Sequence, residues 1–159
     1  EDLGFITPEV TALRDKYEIP GMRVLQFGFG GNPNDDHLPH SYIRHCVAYT
    51  GTHDNDTAVG WFNVTRKRKT TADQASLALK YLNARPRGIN WDMINGVWSS
   101  VAGTAIAPMQ DLLGLGNEAR MNLPATVGSN WTWRMKAGAF SEKCVEQLAE
   151  MTQIYGRKG

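Results

Sequence analysis

Short apolar runs alternate along the chain with longer stretches in which apolar residues return every three or four positions. Met22-Arg23-Val24-Leu25-Gln26-Phe27, Cys46-Val47-Ala48-Tyr49-Thr50 and Thr104-Ala105-Ile106-Ala107-Pro108 are brief and apolar on both faces. Strands of a parallel sheet read this way when helices cover one side and a packed interior the other. Helical spacing marks residues 8–17, where Thr7 is placed to cap and Pro8 to open the helix. It marks residues 71–82, with Ala75, Leu79 and Leu82 along one face, and residues 91–101, with Asn90 as the cap and Gly103 as the stop. The last helix spans 141–155, with Val145, Leu148, Thr152 and Tyr155 in register and Gly156 ending it. These helices are expected to pack on the outside of the sheet. Gly28 to Asp36, rich in Gly, Asn and Asp, reads as a long flexible polar loop.

Strands alternating with helices predict a parallel α/β architecture, and in such a barrel the functional residues gather at the C-terminal ends of the strands. The polar clusters obey that rule. The second strand runs into Gly51-Thr52-His53-Asp54-Asn55-Asp56-Thr57, the third into Gln110-Asp111, and Glu1-Asp2 is expected to follow a strand lying before the first residue. Carboxylates and amides from three strand ends are thus expected to point into one mouth.

Composition narrows the partner. The chain has 159 residues, 42% of them hydrophobic, enough for one core of ordinary domain size. Lys and Arg number 17 against 16 Asp and Glu, a formal charge of +1, so no overall field draws nucleic acid or an anionic membrane. A neutral ligand fits better. The basic run Thr65-Arg66-Lys67-Arg68-Lys69-Thr70 has no interleaved aromatics and reads as a solvated linker. Cys46 and Cys144 read as buried thiols in a reducing compartment. No apolar run approaches the roughly 20 residues that span a bilayer, and the first residues are acidic, so a soluble intracellular protein is expected.

A neutral polyhydroxylated ligand calls for particular side chains. Breaking a glycosidic bond takes one carboxylic acid to protonate the leaving oxygen and a second carboxylate to meet the positive charge on the sugar, about 5 Å apart in retaining enzymes. Trp131 and Trp133 offer faces on which sugar rings stack, and Arg120, Asn122 and Asn130 lie nearby to grip hydroxyls. Each has a plainer explanation. Asp54 or Asp56 reads first as the cap of the following helix, His53 as a hydrogen-bonded loop histidine, and Trp131 and Trp133 equally as alternate positions of a half-buried strand. His37, His40, His45 and His53 with their neighbouring aspartates supply enough ligands for zinc, but Pro39 interrupts the His37-x-x-His40 pair and no cysteine pair supports it, so no metal site is assigned.

Four blocks in order resemble the 4-α-glucanotransferases called amylomaltase or disproportionating enzyme, members of the α-amylase clan. Glu1-Asp2-Leu3-Gly4-Phe5-Ile6-Thr7-Pro8 looks like the segment after the family's fifth barrel strand and Pro20-Gly21-Met22-Arg23-Val24-Leu25-Gln26-Phe27 like its sixth. Tyr49 to Thr57 is similar to the end of the seventh, and Pro108 to Asn122 with Asn130-Trp131-Thr132-Trp133-Arg134 to the eighth and the loop beyond. The resemblance implies the C-terminal portion of a (β/α)8 TIM barrel, about its last three strands and their helices, with residues 1–159 part of a single catalytic domain. It implies that Glu1 is the general acid/base, that Asp54 is the transition-state-stabilising carboxylate, and that His53 and Asn122 bind substrate. The family's nucleophile is expected upstream, which predicts that this chain alone is inactive. Ala125 stands where the family commonly has Gly, and so does Ser129 before Asn130.

The implied activity is transfer of α-1,4-glucan segments between maltooligosaccharides by retaining double displacement, without metal or organic cofactor, nucleic acid or membrane. The cytoplasm is the expected place, or a plastid if the source is a plant or alga. A non-catalytic glucan-binding module using Trp131, Trp133 and Asn122 is the alternative, and a metallohydrolase ranks third.

Overall fold

The computed structural model describes residues 2–157. Its centre is a three-stranded parallel sheet in the order β1 (Gly21–Val24), β2 (Cys46–Tyr49) and β3 (Thr104–Ile106). Met22 pairs with Val47, Val24 with Tyr49, and Tyr49 with Ile106, so one face carries Met22, Val24, Val47, Tyr49, Thr104 and Ile106. The opposite face carries the small residues Cys46, Ala48 and Ala105, which leave room for helices.

Three helices fill that room: α2 (Ala58–Thr65), α3 (Ala72–Tyr81) and α4 (Ile89–Trp98). Phe62, Ala75, Ala78, Ile89, Met93 and Val97 form one cluster with Cys46 and Ala48, all within 2% of complete burial. Burying a Leu, Ile, Phe or Met side chain contributes about 1.5–3 kcal/mol, so this face holds the piece together. The helices at either end differ. α1 (Pro8–Lys16) and α6 (Glu142–Ile154) bury no residue, against the expectation that all helices cover the sheet. Thr7 caps α1 as expected, accepting from Val10 N–H, and Ser141, read as the first helical residue, is instead the cap of α6, accepting from Cys144 N–H. A short α5 (Met109–Leu112) follows β3 directly.

Two sequence expectations fail because a side chain read as part of a loop or a helix edge is buried, Phe29 in one case and Asn90 in the other. β1 ends at Val24, and residues 25–30 coil into 3-10 turns in which Leu25, Gln26 and Phe29 are buried. Phe29 lies 5.5 Å from the Trp61 ring and 6.1 Å from Tyr81, centroid to centroid, so the expected flexible loop begins as an anchored one. Asn90 is no cap. Gly88, with φ of 94°, precedes α4, and Asn90 sits inside it with its amide donating to the Asp111 carbonyl at 2.8 Å. Of the two thiols, both free, Cys46 is buried and Cys144 only half-buried.

Among the described residues no helix is long and apolar enough to cross a membrane.

Candidate functional site

β2 delivers its C-terminal end into a tight turn. The Thr52 N–H and hydroxyl both donate to the Asn55 side-chain oxygen at 2.8 Å, and Asn55 N–H donates back to the Thr52 carbonyl at 3.2 Å. This turn holds its own backbone and leaves the two residues at its tip, His53 and Asp54, free to face outward. Their side chains are 51% and 43% exposed, with His53 Nε2 at 3.4 Å from Asp54 Oδ1. The helix-cap explanation fails for both aspartates, because Thr57 caps α2, accepting from Gly60 N–H at 3.1 Å.

The segment after α5 closes over this tip. Asn122 donates its side-chain amide to Asp54 Oδ1 at 2.6 Å and its N–H to the His53 carbonyl at 3.1 Å. Trp131 N–H donates to the Met121 carbonyl at 2.8 Å, which sets the indole against the His53 ring at 5.0 Å between centroids. His53, Asp54, Asn122 and Trp131 are therefore one constellation. Trp133 enters differently, through its carbonyl, which accepts from Arg134 at 2.7 Å, and neither tryptophan lies on a strand. Glu1 lies outside the described residues. Its neighbour Asp2 accepts from Met22 N–H at 2.7 Å and from Arg14 at 2.8 Å, tying that segment to the edge of β1.

Two expected sugar grips are occupied by protein. Asn130 spends its side chain on Leu123 and Thr126 in its own loop. Arg120 donates to the carbonyls of Asp54 and Asn122 and pairs with Asp56.

Asp111 was expected to face the mouth and instead turns inward, 1% exposed. It accepts from the Thr50 hydroxyl at 2.6 Å and from Ala58 N–H at 2.7 Å, so one carboxylate clasps both ends of the loop that carries His53 and Asp54. Burial pushes its carboxyl up, against those two hydrogen bonds, which pull it down. The available signal was its neighbours: an aspartate followed by Leu112-Leu113 in a short helix has one apolar face to join.

The histidines read as a possible metal set have other work. His37 Nδ1 accepts from Val24 N–H at 3.0 Å, and burial holds its imidazole below the ordinary value. His40 lies between the Tyr81 hydroxyl and the Pro33 carbonyl. Among the described residues no three His, Cys, Asp or Glu groups are placed to hold a metal ion.

Beside the constellation the sheet opens into a hollow of about 340 Å³ lined by Met22, Tyr49, Thr52, His53, Ile106 and Pro108. His53 links the two: it lines this hollow at the ends of β1, β2 and β3, and it lies against the Asp54 carboxylate and the Trp131 ring.

The sequence profile of 4-alpha-glucanotransferases matches residues 1–140. The chain is 48% identical to a 4-alpha-glucanotransferase of Clostridium butyricum, over 99% of this chain and 32% of the relative. It is 45% identical to the 4-alpha-glucanotransferase of Arabidopsis thaliana named chloroplastic/amyloplastic, over 99% of this chain and 27% of that one. In structure it is similar to an amylomaltase of Streptococcus agalactiae solved with acarbose, with a TM-score of 0.92, 36% identity, and coverage of 100% of this chain and 32% of the other. The amylomaltase of Corynebacterium glutamicum, at 15% identity and a TM-score of 0.69, shares the fold. The chain spans about a third of the length of the curated relatives it matches, and the three strands with their helices are part of an α/β barrel. With the profile running through residue 140 of 159 and the site at its strand ends, the chain belongs to the 4-alpha-glucanotransferase family.

Proposed function

We propose that residues 1–159 are the C-terminal part of a single catalytic (β/α)8 domain that transfers α-1,4-glucan segments between maltooligosaccharides with retention. The observation that carries this reading is Asp54: a partly exposed carboxylate at a strand end, one oxygen held by Asn122 at 2.6 Å, with His53 alongside. Asn122 restrains the carboxylate so that its other oxygen meets the charge that develops on the sugar as the glycosidic bond breaks. His53 binds a hydroxyl of the same sugar, and Trp131, backed by His53, offers a ring face. Glu1 acts as the acid that protonates the leaving oxygen and then as the base for an incoming sugar hydroxyl. Trp133 is a weaker candidate for the same surface. The nucleophile that the double displacement requires is taken to lie in the remainder of the barrel. The acarbose bound by the similar amylomaltase supports an oligosaccharide ligand. The chloroplastic/amyloplastic designation of the plant relative supports a plastid location if the source is a plant or alga, and the cytoplasm is proposed otherwise.

The test is incubation of the full-length protein with maltotriose. Disproportionation predicts both shorter and longer maltooligosaccharides in the product mixture. Affinity for maltotriose without any redistribution of chain length contradicts it and favours a binding module.

A further inference from the structure

Arg120 is a charged side chain beside a proposed sugar site, yet its guanidinium faces protein. Nε donates to the Asn122 carbonyl at 2.8 Å, one terminal nitrogen donates to the Asp54 carbonyl at 2.6 Å, and the other pairs with the Asp56 carboxylate. The two residues it reaches also hold each other: the Asn122 amide donates to the Asp54 carboxylate, and Asn122 N–H donates to the His53 carbonyl. Asp54 is therefore gripped at its carbonyl and its carboxylate, and Asn122 at its carbonyl and its N–H. The Arg120 and Asp56 side chains are only 21% and 22% exposed, and the Asp56 carbonyl accepts from Gln26 at 2.8 Å, which ties the assembly to the chain leaving β1.

We propose that Arg120 is a positioning residue. Its planar fork sets Asp54 and Asn122 in one relative placement, so the carboxylate meets the reacting sugar in a single orientation, while Arg120 itself touches no substrate. This inference rests on the reading of Asp54 given above. Arginine suits the task because three acceptors in different directions need nitrogens held in one plane, whereas lysine offers a single flexible ammonium. The pairing with Asp56 keeps the guanidinium from turning toward a hydroxyl. A displacement of about 1 Å at a reacting group costs about a hundredfold in rate, which sets the scale.

The experiment measures kcat and KM for maltotriose disproportionation, with thermal unfolding, on full-length protein carrying Arg120→Ala, Arg120→Lys, Asn122→Ala, the Arg120/Asn122 double variants, or Asp54→Asn. Arg120→Ala is expected to lower kcat by about 30- to 100-fold while KM stays within about threefold. Arg120→Lys, which keeps only the Asp56 pair, is expected to fall between. The double variants are expected to lose less than the product of the single losses, because both substitutions release the same carboxylate. If Arg120→Ala does not fold, Arg120→Lys and its double variant with Asn122→Ala carry the test. Arg120 variants with kcat within about twofold of the unmodified protein overturn the proposal, as does a raised KM at unchanged kcat, which marks a sugar contact. Loss of turnover in Asp54→Asn with Arg120 variants at full rate overturns the positioning role alone. Full turnover in Asp54→Asn overturns the reading of the site and this inference with it.

Discussion

Ala125 and Trp131 both have left-handed backbone, at φ of 60° and 66°, in the loop that lays an indole on His53. A side chain bearing Cβ pays about 1–2 kcal/mol for that conformation, and Gly pays little. The strain at Ala125 is legible in the sequence, since it stands where the resembled family commonly has Gly. Ala125→Gly is predicted to raise stability by about 0.5–1 kcal/mol in urea unfolding, the gain being trimmed by glycine's extra freedom in the unfolded chain. An unchanged or lower midpoint contradicts it. Trp131 gave no such sign, because its conformation follows from a hydrogen bond to Met121 ten residues earlier. Asp111 was misread for a similar reason: a strand-end aspartate reads as a ligand, and only the fold reveals Thr50 and Ala58 as its partners. With its carboxyl pushed above the ordinary 3.8, the unfolded chain loses this proton first as pH rises, so the folded state binds more protons across that interval and stability falls there. Asp111→Asn removes the titration. The unmodified protein's stability relative to the variant is therefore predicted to be greater at about pH 4 than at about pH 7, and a difference independent of pH contradicts the assignment.

Among the elements, those whose ends carry their own chemistry were readable and those ended by tertiary contacts were not. Thr7 and Ser141 cap α1 and α6 as their types demand. β1 stops early because the chain must coil to bury Phe29, and the coil is possible because Gly28 has no side chain. A Cβ at Gly28 would stand 2.9 Å from the His37 carbonyl and from Leu38, both closer than packed atoms allow. Since the obstacle includes backbone, Gly28→Ala is predicted to cost about 1–3 kcal/mol in denaturant unfolding, and wild-type stability would show that the coil yields freely. α6 illustrates attachment without a buried face. Arg157, just beyond it, donates to the carbonyls of Trp98, Ser100 and Ala102 at 2.6 to 2.9 Å, closing the C-terminal end of α4. Nothing in the helical periodicity of residues 141–155 announces that contact.

For the whole molecule, the sheet has a helix-covered face and an open one. On the open side, Val10, Leu13 and Ile19 remain substantially exposed beside Met22, Val47 and Tyr49, around a hollow of about 350 Å³. Met22 N–H, on the edge of β1 away from β2, finds the Asp2 carboxylate where a further strand would offer a carbonyl. These features accord with a chain spanning about a third of its relatives' length. The parallel α/β order was legible because short apolar strands alternated with helices, whereas the barrel and the assignment of the candidate site residues came only from the resemblance of four blocks in order. The relation between Asp54 and Asn122 was not legible, since it depends on a contact across 68 positions of sequence. That contact makes the central claim testable in one measurement: the maltotriose disproportionation rate of full-length protein carrying Asp54→Asn, with folding checked by circular dichroism. The account predicts a folded protein slower by about a thousandfold. A folded variant transferring at the unmodified rate would contradict it.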